Sequence, residues 1–236
     1  MKELLKTVTG AKSVHIIACD QRRKKAPILE ADEVRPKDLP CGIDLPIHEM
    51  DLSKPRVGGA KSGANFDPAR SAHIDYSPKR AGTMIRHNRR DIAEAPKDVI
   101  VAEDEAAALK TEYNGRRYAL FSVWRPLKTM GRDPISVCDP NSIVPKRDLV
   151  EFFNKQPGEN GDFISGLHIL KGNHAKEQRW YWIREHRDDE VFVIQFFDSH
   201  AEEGRPLGPP HVSPELLDVG EGDRRGSVEA RCLALW

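Results

Sequence analysis

The chain has 236 residues, of which 39% are hydrophobic and 31% are charged, and its formal net charge is zero. This composition suits one domain with a real core and long polar loops, or two small domains. The balanced charge argues against a nucleic-acid or membrane-surface partner, and no stretch approaches the roughly 18 apolar residues of a membrane span.

The cysteines and the amino terminus indicate the cellular compartment of the protein. Four cysteines lie far apart without C-x-x-C spacing, which disfavours a zinc ribbon or a disulfide framework: Cys19, Cys41, Cys138 and Cys232. The amino terminus lacks the apolar core of a secretory signal. We therefore expect free thiols and a cytoplasmic protein, with Cys138 and Cys232 as small apolar fillers.

Residues 1–70 are rich in Lys, Pro, Gly and Asp. Their pattern predicts strands at 13–19 (SVHIIAC) and near 43–50 (IDLPIHEM). The basic run QRRKK at 21–25 is followed by acidic residues, so we interpret it as a solvated loop. The glycine-rich stretch at 56–68 lacks the spacing of a phosphate-binding loop and predicts a surface loop.

Two helices are predicted next. Residues 79–95 carry Ile85 and Ile92 as apolar points among charges, and residues 104–113 (DEAAALKTEY) begin with acids and contain alanines.

Strand-like segments then follow one another. They are short, aromatic and β-branched, and turn residues separate them: 116–124, 148–153, 162–170, 178–183, 190–197 and 227–236. No helix-length periodicity lies between them, which disfavours a parallel sheet. The sequence therefore predicts a mainly β protein, an antiparallel sandwich or barrel with a few flanking helices.

A histidine and an aspartate stand two residues apart in SAHIDYSP at 71–78. In an extended segment such side chains share a face, so His73 and Asp75 can converge on one metal ion. His211, in GPPHVSP, would complete a two-histidine, one-carboxylate set, which is typical of non-haem iron(II) oxygenases. Arg225 and Ser227 are also two residues apart, and a guanidinium beside a hydroxyl suits a bound carboxylate.

Single triplets of this kind are expected about once by chance, so order and spacing carry the argument. A second H-x-D occurs at 186–188, within REHRDDE between two aromatic strands. We interpret it as a charged hairpin tip.

The motifs together resemble one family. They are HIDYSP, VWRPL at 123–127, RDPISVCD at 132–139, RWYW at 179–182, DEVFVIQFFDS at 189–199 and RGSVEAR at 225–231. They are similar to those of 2-oxoglutarate-dependent iron(II) dioxygenases, and more narrowly to fungal and bacterial hydroxylase/desaturase-like proteins. That group includes gibberellin desaturase-like enzymes and proteins of biosynthetic clusters, some described as methyltransferases.

The resemblance implies a double-stranded β-helix, the jelly-roll or cupin-like fold. It implies iron(II) held by His73, Asp75 and His211, and 2-oxoglutarate held by Arg225 with Ser227. Dioxygen would be the second co-substrate. The implied reaction oxidises an unactivated C–H bond of a small molecule, by hydroxylation, desaturation or ring closure, in secondary metabolism. An amino acid is among the candidate substrates. We expect one domain over 1–236, with 1–70 as an extension with flanking strands and 71–236 as the β-helix core.

Some assignments stay open. The run after His211 departs from the family pattern, so His200 is a rival distal ligand. Arg125 follows an apolar strand beside Trp124, and a buried arginine needs a carboxylate partner. That partner is the co-substrate, a substrate acid, or Asp133 or Asp139.

Other polar and aromatic residues are assigned roles from their positions in the predicted strands and motifs. Arg125, Trp124 and Tyr76 are candidate substrate contacts. Glu229 and Arg231, on the last predicted strand, are expected to be structural. The aromatic residues at 180–182 are expected to lie in the core or on a sheet face.

Other functions compete with this interpretation. A non-catalytic β-helix that binds a small molecule is one, but such a relative usually loses a metal ligand. A methyltransferase would need a glycine-rich loop after a strand of an α/β sheet, which the sequence does not show. A nucleic-acid oxygenase is disfavoured by the zero net charge.

Overall fold

The computed structural model describes residues 1–22, 48–49, 61–62, 65–66, 68–201, 208–215 and 225–236. Cys41, residues 23–25 of the basic run, most of the glycine-rich stretch and most of 43–50 lie outside the described residues. Within the described part, no helix combines the length and the apolar character needed to cross a membrane.

The described helices are short and precede or flank the strands. They are α1 Lys2–Thr9, α2 Ala81–His87, α3 Arg90–Glu94, α4 Lys97–Leu109 and α5 Pro145–Asp148, with 3₁₀ turns at Pro78–Arg80 and Pro140–Ser142. The predicted helix at 79–95 is thus divided into three pieces. The helix predicted at 104–113 begins earlier, at Lys97, and ends at Leu109, where Lys110 takes a left-handed conformation.

The strands form two sheets. They are β1 Ser13–Arg22, β2 His48–Glu49, β3 Lys61–Ser62, β4 Asn65–Phe66, β5 His73–Ile74, β6 Tyr118–Pro126, β7 Ser136–Cys138, β8 Leu149–Gln156, β9 Phe163–Leu170, β10 Trp180–Trp182, β11 Phe192–Asp198, β12 His211–Val212 and β13 Ser227–Leu235. Sheet I has the order β11-β6-β13-β1-β4-β3 and sheet II the order β10-β7-β12-β5-β9-β8-β2.

Pairing is antiparallel except between β1 and β4 and between β2 and β8. The mainly β, jelly-roll prediction is confirmed by these two sheets and by the structural neighbours described below.

Alternation along β6 explains how sheet I acquires two apolar faces. Tyr118, Leu120 and Trp124 point into the core between the sheets, whereas Ala119 and Phe121 point the other way. The second face packs against α1 through Leu5, which is fully buried.

One prediction about local structure was wrong. The segment 183–191 joins β10 of sheet II to β11 of sheet I, so it is a crossing connection and not a hairpin tip. His186 is fully buried there, and its ring packs against Trp124 and Phe192. The aromatic triplet lies in the edge strand β10, where Trp180 packs against the core and Tyr181 and Trp182 are 55% and 44% exposed, which agrees with the expected core or sheet-face positions.

Candidate metal centre and co-substrate pocket

The structure brings His73, Asp75 and His211 together. Each offers a ligand atom, and these atoms all lie within 4.8 Å of one another. His73 and His211 are cross-strand partners in β5 and β12, which places their side chains on the same face, and their ring centroids are 4.4 Å apart. Asp75 follows β5 directly, with Oδ1 3.2 Å from His73 Nε2 and 3.8 Å from His211 Nε2.

A backbone contact sets the tautomer of His73. Its Nδ1 lies 2.7 Å from the carbonyl oxygen of Ser71. A carbonyl can only accept, so Nδ1 carries the proton and donates it. The lone pair is then on Nε2, the atom that faces Asp75 and His211, as a metal-ligating imidazole requires.

The electrostatics of this cluster keep the Asp75 carboxyl and the His211 imidazole unprotonated near neutral pH. Burial raises the pKa of the Asp75 carboxyl, but the Arg231 guanidinium and the two imidazoles outweigh it and hold that pKa well below its usual range. Burial, together with His73, lowers the pKa of His211 to about 4. Near neutral pH the cluster therefore presents a carboxylate and a neutral His211 imidazole.

The chemistry of the donor set supports a bound cation. The atoms that converge are Nε2 of His73, Nε2 of His211 and Oδ1 of Asp75. Two imidazoles and one carboxylate are the donor set that suits ferrous iron with open coordination positions. The residues present therefore fit an iron(II) ion.

Arg231 lies against the same carboxylate, which the sequence did not indicate. Its Nε is 2.8 Å from Asp75 Oδ2 and 3.6 Å from Glu229 Oε1, although the first contact lacks the alignment of a hydrogen bond. Glu229 is buried and accepts a hydrogen bond from Ser122. Glu229 and Arg231, which were expected to be structural, both line the cavity with the triad.

The cavity has a volume of about 380 Å³, including its part open to solvent, and Arg225 lines it as well. Arg225 is 5% exposed. Its Nε donates to Ser227 Oγ at 3.3 Å, and its Nη1 donates to Ser213 Oγ at 2.7 Å and to the Asp133 carbonyl at 3.0 Å. The guanidinium carbon lies 4.9 Å from the Trp124 ring centre. A buried, oriented guanidinium at a cavity wall suits a carboxylate ligand.

The other residues proposed from the sequence as substrate contacts or as a rival ligand lie in different places. Trp124 lines the cavity. Tyr76 is buried with its ring edge on Phe196, 5.7 Å between centroids. Arg125 donates to the carbonyl of Asp188 at 2.8 Å. His200 lies outside the cluster, with its Nε2 3.1 Å from the Gly115 carbonyl.

Asp133 and Asp139, the two proposed carboxylate partners of Arg125, form no ion pair with it in the described structure. Asp133 forms ion pairs with Arg70 and Arg132, and Asp139 forms one with Arg179.

The fold and the cluster define a class: a two-sheet jelly roll whose strands hold two histidines and a carboxylate next to a buried arginine. Comparison with known proteins agrees. Residues 1–235 match the domain family described as "YDMC: Oxidoreductase/YMDC permease-like domain". The chain belongs to this family, and the proteins similar to it include hydroxylases, desaturases and iron(II)/2-oxoglutarate-dependent dioxygenases.

Among these relatives is the gibberellin cluster GA4 desaturase of Gibberella fujikuroi, 32% identical over 99% of this chain and 71% of its own length. The Fe(II)/2-oxoglutarate-dependent dioxygenase nvfI of Aspergillus novofumigatus is 26% identical over 75% of this chain and 56% of its own. A solved structure of a variant of the iron and alpha-ketoglutarate-dependent endoperoxidase NvfI superposes with a TM-score of 0.62 at 22% identity. That match covers 100% of this chain and 64% of the solved one, so this chain spans less than two thirds of it.

Proposed function

We propose that the chain is an iron(II)- and 2-oxoglutarate-dependent oxygenase that oxidises an unactivated C–H bond of a small molecule. Family membership and the cluster of two histidines and one aspartate support this assignment. The result of oxidation would be a hydroxyl group, a double bond or a ring. The relatives named desaturase and hydroxylase/desaturase support a place in secondary metabolism.

His73, Asp75 and His211 would hold the ferrous ion, and Arg225 with Ser227 would hold 2-oxoglutarate. When bound, the ion and 2-oxoglutarate would reduce dioxygen and so provide the oxidant for a C–H bond, with release of succinate and carbon dioxide. The chain's own residues would hold these groups in position and exclude bulk water from them. No side chain is required as a general base in this scheme.

The position of each group follows from contacts already described. The carbonyl of Ser71 directs His73 Nε2 into the cluster, and Arg231 lies against Asp75 Oδ2, whereas the imidazoles lie near Oδ1. Burial of His73 and His211 excludes bulk water, which strengthens the electrostatic interactions in the cavity. Arg225 would donate hydrogen bonds to the distal carboxylate of the co-substrate in a fixed orientation, because its Nε and Nη1 already donate to Ser227 and Ser213.

The observation that carries the proposal is the convergence of His73 and His211. They come from strands remote in sequence, yet they are direct cross-strand partners and Asp75 lies against both imidazoles. Alternation of apolar and polar residues along the strands does not explain why these three side chains meet, whereas binding of one metal ion does.

The test is anaerobic reconstitution with iron(II) and 2-oxoglutarate, followed by air. Succinate release is expected for the native chain and should vanish for His73→Ala. A His200→Ala variant serves as the control, because His200 lies outside the cluster. Equal succinate release by the native chain and His73→Ala would overturn the assignment.

Two further points belong to this proposal. Residues 1–236 would form a single oxygenase domain, since β1, from the first seventy residues, pairs along its length with β13. We also place the protein in the cytoplasm, because Cys19, Cys138 and Cys232 are free thiols among the described residues. Cell fractionation would test the second point, and recovery from an oxidising compartment would contradict it.

A further inference from the structure

Arg225 is oriented by residues from two other parts of the chain. Its Nη1 donates to Ser213 Oγ and to the backbone carbonyl of Asp133. Ser213 Oγ in turn donates to the same carbonyl at 3.0 Å. These three groups form a closed arrangement at the wall of the cavity, so the direction of the guanidinium depends on where Ser213 and Asp133 are held.

Asp133 takes an unusual backbone conformation in this arrangement. Its φ is +51°, in the left-handed region that non-glycine residues seldom adopt. Such a conformation persists where surrounding contacts enforce it. The carboxylate supplies those contacts, because Oδ1 accepts from Arg70 at 2.6 Å and Oδ2 accepts from Arg132 at 3.0 Å.

Arg70 contacts both residues that accept from Arg225 Nη1. Its Nη2 binds the Asp133 carboxylate, and its Nη1 donates to the Ser213 carbonyl at 2.8 Å. The neighbouring Ala69 carbonyl accepts from the Ser213 amide at 2.8 Å. A planar guanidinium can hold two acceptors at a fixed separation, which a point-like ammonium cannot do as well.

We propose that Arg70 is a positioning residue that holds Asp133 and Ser213, and through them fixes Arg225 in the orientation that binds the distal carboxylate of 2-oxoglutarate. This inference rests on the proposed function. It assigns to Arg70 a role in co-substrate affinity that is separate from metal binding. Arg132 contributes less, since its described hydrogen bond reaches Asp133 and not Ser213.

The decisive variant is Arg70→Lys. It preserves the charge, so long-range attraction for 2-oxoglutarate stays the same, but it cannot brace both acceptors. Loss of one hydrogen bond in the brace should raise the 2-oxoglutarate Kd by about threefold to tenfold. Affinity for Mn²⁺ alone should remain close to the native value. Isothermal titration of 2-oxoglutarate into Mn²⁺-loaded protein, after titration of Mn²⁺ alone, gives both quantities.

Arg117→Lys is the matched control. Arg117 also makes a two-point contact with an aspartate, Asp198, and it does not line the cavity. It should lose a similar amount of thermal stability without a change in the 2-oxoglutarate Kd. Should Arg70→Lys lack a cooperative thermal transition, Arg70→Gln replaces it, with the same or a larger loss of 2-oxoglutarate affinity expected.

The outcomes separate the two proposals. A native chain that binds Mn²⁺ but not 2-oxoglutarate refutes the proposed function. A native chain that binds both, with an Arg70 variant that binds 2-oxoglutarate as tightly as the native chain, refutes only the role of Arg70. An Arg70 variant that loses Mn²⁺ and 2-oxoglutarate affinity by the same factor also refutes it, because the effect is then general.

Discussion

The two ends of the cavity are built in different ways. Arg225 lies just before β13 and Arg231 lies within it, so the two are separated by about 20 Å of extended chain. At the Arg225 end, the guanidinium donates hydrogen bonds to acceptors on Ser227, Ser213 and Asp133. At the Arg231 end, the Asp75 carboxylate faces the two imidazoles through Oδ1 and the Arg231 guanidinium through Oδ2.

The Arg225 end is therefore suited to rigid binding of an organic anion, and the Arg231 end is suited to a centre that a cation completes. A satisfied network fixes the direction of a guanidinium before any ligand arrives. At the Arg231 end, the convergence of two imidazoles and a carboxylate on one point indicates a site that an ion completes.

The largest effect is expected at the Arg231 end, from Asp75→Ala. Loss of the proposed carboxylate ligand should lower 2-oxoglutarate-dependent succinate release by more than about 100-fold, because loss of a residue that only hydrogen-bonds a metal ligand already costs about 10-fold to 100-fold. The measurement is succinate by mass spectrometry under air. Retention of turnover close to the native value would contradict this assignment for Asp75.

The next effect is expected at the opposite end, from Arg225→Met. A charge-assisted hydrogen bond to a carboxylate contributes about 1.5–3 kcal/mol, so the 2-oxoglutarate Kd should rise by about 10-fold to 100-fold. Titration with Mn²⁺ alone should be nearly unchanged, because Arg225 is not one of the proposed metal ligands. If 2-oxoglutarate binding survives unchanged, the anchor lies elsewhere, and Arg125→Met would be the following variant.

A smaller effect at the same end is expected from Ser227→Ala. This change removes the acceptor of Arg225 Nε at 3.3 Å. At this length the bond is weak for one from a charged donor and contributes about 1 kcal/mol, so the Kd for 2-oxoglutarate should rise about fivefold. An effect as large as that of Arg225→Met would mean that Ser227 itself provides most of the binding.

A charge pair outside the cavity gives a reference, and its effect should be on stability alone. Asp148 is buried, and hydrogen bonds from Arg147 lower its carboxyl pKa against the effect of burial. A group with a lowered folded pKa contributes stability above its unfolded value of about 3.9, and this contribution is lost as pH falls through the folded value.

Asp148→Asn should therefore lower the free energy of unfolding at pH 7 by about 1 kcal/mol, and the difference from the native chain should shrink below about pH 3.9. Urea unfolding at several pH values measures it. Metal and 2-oxoglutarate affinities should not change. A difference that grows as the pH falls would contradict the sign of the pKa shift.

The long strands were predictable because each is an apolar, β-branched run bounded by turn residues. For example, the predicted strand at 227–236 is observed as Ser227–Leu235. The two-residue strands β5 and β12 were not, since two residues carry no periodicity. These short strands are held by their neighbours in sheet II, so only the complete topology defines them.

The same limit applies to the site. Spacing alone suggested that His73 and Asp75 share a face, but the choice of His211 over His200 needed the pairing of β12 with β5. Arg231 had a signal that could have been used: polar residues at every second position of a strand whose other positions are apolar mark a buried polar face. Arg70 had none, because its partners are 63 and 143 residues away in sequence.

Cobalt(II) titration of the metal-free chain, followed through the d–d absorption bands, tests whether the triad is a metal centre. The account predicts saturation at a single equivalent per chain, loss of the bands in His211→Ala and bands of native intensity in His200→Ala. Native bands in His211→Ala, or no bands in the native chain, would contradict it.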